Sequence, residues 1–101
     1  MAIMSAQDGH VLAELPIGAG VDATAFLRGM AFASCGDGTL TVIQETAPEK
    51  FNVVQTVKTA PRAKTMAVDQ NTGTIYLPTA DGSRTSQVPG SFKVLVISKN
   101  E

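Results

Sequence analysis

Met30-Ala31-Phe32-Ala33-Ser34-Cys35-Gly36-Asp37-Gly38 and Thr74-Ile75-Tyr76-Leu77-Pro78-Thr79-Ala80-Asp81-Gly82 are two copies of one pattern, 44 residues apart. In each copy a Gly precedes a short apolar run and an Asp-Gly pair follows it. A second element repeats downstream: residues 39–45 return as 92–98, with Val42-Ile43 matched by Val96-Ile97 once a longer second loop is allowed for. Self-similarity at a period of about 40 to 50 residues, with four short strands per repeat, is the mark of a propeller blade.

Outward from these copies, apolar residues recur with period two along the whole chain. Val11, Ala13, Leu15 and Ile17 alternate with His10, Leu12, Glu14 and Pro16. Leu40 and Val42 alternate with Thr39, Thr41 and Ile43, and Phe51, Val53 and Val57 with Asn52, Val54, Thr56 and Lys58. No segment shows the 3.6 period of an amphipathic helix, so the chain is expected to be all-β with no helix longer than about one turn. Asp8-Gly9, Arg28-Gly29, Gly36-Asp37-Gly38, Pro48-Glu49-Lys50, Asn71-Thr72-Gly73 and Asp81-Gly82 bound the runs and describe an antiparallel meander. Residues 81–90, polar and carrying two serines and Gln87, read as one long loop.

With the strands of a blade lettered a to d from the channel outward, the order is c at 2–6, d at 10–17, a at 20–26, b at 30–35, c at 39–45 and d at 51–58. Strands a at 63–68, b at 74–79 and c at 92–98 follow. The predicted fold is a β-propeller fragment of two blade equivalents in a single segment, 1–101. It comprises an outer strand 10–17, a full blade 20–58 and a three-stranded incomplete blade 63–98. A blade boundary this close to the initiator is expected of a truncated or permuted gene.

Val68-Asp69-Gln70-Asn71-Thr72-Gly73-Thr74-Ile75-Tyr76-Leu77, followed by the third strand from Phe92 to Ile97, resembles the YVTN family of bacterial β-propeller repeats, the YncE-like proteins. The similarity runs over most of residues 8 to 98, with Tyr76-Leu77-Pro78-Thr79 and Phe32-Ala33-Ser34-Cys35 standing where the letters of the family name fall. The absence of Trp argues against WD repeats, sialidase-type Asp boxes and tryptophan-docked quinoprotein blades.

The 101 residues are 44% hydrophobic and 17% charged, and eight scattered Lys and Arg are balanced by nine acids. Neither a nucleic-acid surface nor a membrane partner is expected. There is no basic, apolar leader, so the chain as written is expected in the cytoplasm, although a longer parent could be secreted. The single cysteine excludes an internal disulfide.

No catalytic, metal or cofactor constellation emerges. His10 is the only histidine and has no second imidazole to share a metal with. Cys35, beside Ala31 and Ala33 on one strand face, reads as a small buried hydrophobe. Residues 69–73 begin like a calcium loop but lack the distal Glu, and Gly18-Ala19-Gly20 precedes a strand, without the helix dipole a phosphate loop uses. Connections d to a and b to c share the channel-mouth face of a propeller, which makes Asp22, Arg62, Lys64 and Arg84 the candidate ligand-binding positions; solvated surface charge is the plainer reading.

The favoured function is therefore a non-catalytic module, its ligand unknown, that closes a ring by self-association. The alternative is a fragment of a propeller enzyme such as a lactonase or hydrolase, drawing on Asp22, Asp37 and Asp81. In the favoured reading the strand of His10, Leu12, Leu15 and Ile17 completes the sheet ending in Phe92, Val94 and Val96 of another copy. A six-bladed homotrimer is expected before an eight-bladed tetramer.

Overall fold

The structure, a computed structural model, describes residues 1–63, 65–82 and 86–98. Among them are nine strands and no helix: β1 (Ala2–Met4), β2 (Val11–Glu14), β3 (Val21–Leu27), β4 (Met30–Cys35), β5 (Thr39–Ala47), β6 (Lys50–Lys58), β7 (Ala67–Val68), β8 (Ile75–Thr79) and β9 (Lys93–Ile97). They form three antiparallel sheets in chain order, β1-β2, β3-β4-β5-β6 and β7-β8-β9. The nine strands anticipated from alternation and turn residues are all present and in that order. Their ends differ. β2 stops before Pro16, which has no N–H for a ladder. β7 shrinks to two residues because the chain ahead of it is drawn to the β4–β5 turn, where Thr59 N–H donates to Gly38 O at 2.7 Å and Arg62 N–H to Gly36 O at 3.0 Å.

Tight turns explain the meander. Arg28 and Gly29 both have positive φ, 53° and 75°, as a two-residue hairpin of the mirror-image type requires. Arginine is an unusual occupant of that position, and its side chain shows what holds it there. The Arg28 guanidinium donates to the carbonyls of Asn71 at 2.7 Å and Gln70 at 3.3 Å, clasping the second sheet to the β7–β8 turn. The described residues of the 81–90 segment, 81–82 and 86–90, are more organised than a plain loop: Gly82 and Gln87 form an isolated antiparallel bridge, and Val88 N–H donates to Asp81 O at 2.8 Å.

The registers carry four one-residue irregularities, one of them at Thr46 beside the β5–β6 turn, and the other three decide which side chains are buried. Leu12, Asp22 and Val54 are each skipped in the pairing of their strand, so two residues oppose one on the partner strand. Such a bulge inverts the face of everything beyond it. Strict alternation placed Val11 with Ala13, Leu15 and Ile17. In the structure Val11 is exposed, and Leu12 packs with those three. Alternation likewise grouped Phe51, Val53 and Val57. Skipping Val54 sends Phe51 to one face of the second sheet and Val57 to the other.

The second sheet is therefore covered on both sides. On one face Phe32, Leu40 and Val42 meet Ile75, Leu77 and Ala63, with Leu27, Met30, Val57, Val68, Leu95 and Ile97 around them. On the other, Ala31, Ile43 and Phe51 receive Met1, Ile3, Leu12, Ala13, Leu15 and Ile17 from the first sheet. Three sheets in a row give an elongated shape, 46 × 28 × 21 Å, with a radius of gyration of 14.5 Å. A compact chain of this length has about 13 Å. The difference reflects sheet faces at the ends of the row that no described residue covers.

Candidate functional site

Asp37 organises one end of the sheets. Its carboxylate accepts the Thr39 hydroxyl at 2.6 Å, the Ala19 N–H at 2.9 Å and the Thr39 N–H at 3.1 Å. Gly36 N–H donates to Gly20 O at 2.8 Å, so the connection into β3 is fastened to the β4–β5 turn. Gly18 fits there only because it lacks a side chain, since a Cβ would lie 2.3 Å from Thr39 Oγ1. The connection from β6 to β7 lies on the same turn, through the Thr59 and Arg62 bonds. Neighbouring it, Arg62, Pro78, Thr79, Ala80, Gln87 and Phe92 line a shallow cleft.

The four charged candidates do not converge there. Arg62 reaches the cleft, with a positive φ of 68° and a guanidinium that donates to Gly82 O at 3.0 Å, so it holds the 81–90 loop. Asp22 is exposed on its bulge in β3, and its side chain has no hydrogen bond or ion pair to another described residue. Lys64 and Arg84 lie outside the described residues. The other acids a hydrolase would recruit are engaged singly, Asp37 in its turn and Asp81 in an exposed ion pair with Lys93 at 3.0 Å. Among the described residues no three His, Cys, Asp or Glu side chains gather.

His10 and Asp8 bond to each other across an exposed turn. Cys35 is fully buried, its thiol donating to Ala33 O at 3.6 Å, where no solvent-borne reagent meets it. The turn acids have a measurable consequence. The Thr39 hydroxyl and the Ala19 N–H hold the Asp37 carboxyl below its ordinary value of 3.8. The His10 N–H and side chain do the same for Asp8, and the Asn71 and Thr72 N–H groups for Asp69. A depressed carboxyl contributes stability above its unfolded value and loses it as pH falls through the folded one. The urea midpoint is therefore expected to fall as pH drops below about 4, and Asp37→Asn to flatten part of that dependence. A midpoint unchanged between about pH 5 and about pH 3 would count against these turn bonds.

No protein-family model, no curated protein and no solved structure matches this chain. Function must be read from the molecule itself.

The residues anticipated for strand pairing are split between two places. Leu12, Leu15 and Ile17 pack on the chain's own second sheet, while His10 stands exposed just ahead of β2. Val94 and Val96 are exposed on β9, which pairs with β8 on one edge and with no described strand on the other; Phe92, just before it, is 71% exposed. β2 is not a free strand: Ala2–Met4 already pairs with it, Ala2 opposite Glu14 and Ile3 opposite Ala13. Sequence reasoning missed two further apolar features, the exposed Tyr76 and Phe26. The registers mark both. Tyr76 sits opposite Val96 on the face away from the core, and Phe26 opposite Ala31 on the face toward the first sheet.

Proposed function

We propose that the chain is a non-catalytic β-propeller module of two blade equivalents, of the YVTN type, that closes a ring by head-to-tail self-association. The observation that carries the reading is the uncovered third sheet. Its edge strand β9 is apolar, paired with no described strand on one side and exposed at Val94 and Val96, an arrangement that pairs readily with another strand. The four-stranded second sheet, in simple order with sheets packed on both faces, supports a blade as the repeating unit. The scattered acids and the tie made by Arg62 favour binding or scaffolding over hydrolysis; any ligand would meet the cleft between Arg62 and Phe92.

Two blades cannot close a ring, and a heterologous contact closes only when its rotation divides a full circle. Sedimentation equilibrium across a wide concentration range is expected to give three times the protomer mass, with four times as the second solution. A folded protein at the protomer mass throughout would overturn the proposal.

A further inference from the structure

The chain contains one complete interface between neighbouring sheets and the two halves of another. The complete one lies between the second and third sheets. Across β3, β4 and β5, Ala25 is opposite Phe32 and Phe32 opposite Val42, with Leu40 opposite Ser34; Phe32, Leu40 and Val42 are buried there. The third sheet repeats these positions: Ala67 opposite Tyr76, Tyr76 opposite Val96, and Val94 opposite Pro78. Here the same apolar face is open, with Tyr76 38% and Val96 63% exposed.

The reverse face shows the complementary gap. In the third sheet Val68, opposite Ile75, packs against the second sheet. Its positional equivalent in the second sheet is Phe26, opposite Ala31, and Phe26 is 58% exposed. It borders a groove between β1 and β3, also lined by Met1, Ile3, Leu12, Ala31 and Phe51. Leu12, Ala31 and Phe51 belong at the same time to the packed interface with the first sheet. A sheet entering the groove would extend an existing interface.

We infer that this groove receives the Tyr76–Val96 face of a second copy of the chain, whose β9 takes the edge of β2 now held by β1. The inference rests on the self-association proposed above and specifies its contact. A second copy is the fitting occupant because the chain's own third sheet packs on its second with the same positions facing. β1 is the shorter claimant to the β2 edge: it offers a three-residue strand, with backbone bonds at Met1–Leu15 and Ser5–His10 at its two ends. β9 offers a five-residue strand whose other edge is fully paired with β8. β1 thus covers β2 in the free protomer and leaves on assembly.

Phe26→Asp and Val96→Asp test the contact, since both side chains are exposed in the protomer and their loss leaves its core intact. Each variant alone is expected to sediment at the protomer mass with an unchanged circular dichroism spectrum. An equimolar mixture retains one good groove and one good face. It is expected to give twice the protomer mass and nothing larger, as only a heterologous contact does. To test the exchange, Ala2→Cys with Glu14→Cys, in a Cys35→Ala background, ties β1 to β2 at directly opposed positions whose spacing suits a disulfide. The oxidised form is expected to stay at the protomer mass and the reduced form to assemble. Single variants that still assemble, or a mixture that does not, overturn the contact while leaving self-association standing. Oxidised protein that assembles as readily as reduced overturns the strand exchange. A monomeric parent protein overturns both this inference and the reading beneath it.

Discussion

Leu15→Asp is expected to unfold the protomer and abolish assembly in one transition. Leu15 packs with Ile17 against Ile43 and Phe51, and it anchors the first sheet twice, its N–H donating to Met1 O at 2.9 Å and its carbonyl accepting the Met1 ammonium at 2.8 Å. A carboxylate there meets apolar neighbours, and the one cation beside it among the described residues, the Met1 ammonium, is already bonded to the Leu15 carbonyl, so the substitution costs roughly 3 kcal/mol or more. Domains of this size have about 5 to 15 kcal/mol in total. The same hairpin carries the β2 edge on which assembly is proposed to depend, so folding and association are linked. Urea titrations followed by circular dichroism, run beside sedimentation, should show both losses together, whereas Leu15→Met should shift the midpoint by less than the equivalent of about 1.5 kcal/mol. A stable, folded monomer of Leu15→Asp would refute the linkage.

The second large effect is expected at Leu77→Ala. Leu77 is fully buried where the third sheet meets Phe32, Leu40 and Val42 of the second, and it leaves a cavity that β-sheet backbones on both sides keep from collapsing. The expected loss is about 2 to 5 kcal/mol. On the neighbouring strand, Val96→Ala removes methyl groups from the exposed face and should stay within about 0.5 kcal/mol in the monomeric protomer. Denaturant midpoints of the two variants separate the covered face of the third sheet from its open one. A larger loss at Val96 than at Leu77 would mean that the sheet packs the other way round.

The candidate ligand positions show how far surface charge can be read without coordinates. Arg62 was legible as a residue of the turn-bearing end, and it does border the cleft there. Its guanidinium is nevertheless occupied by Gly82 O, a partner 20 residues away whose loop position no local pattern fixes. Arg28 was legible only as a turn residue. Its bonds to Gln70 and Asn71 form because two hairpins from neighbouring sheets end side by side.

By itself the sequence determined the all-β class, the order of nine strands and their pairing into consecutive hairpins. Each of these depends on short-range chemistry: period-two alternation selects extended backbone, and Gly, Asn and Asp supply the tight turns that make adjacent strands antiparallel. Only the tertiary structure decided which faces are buried. A single skipped residue at Leu12, Asp22 or Val54 leaves composition and turns unchanged yet inverts the strand beyond it. Its place is set by the partner strand and by the sheet packed across, so Leu12 turned inward and Val57 parted from Phe51 for reasons their own neighbours in the chain do not contain.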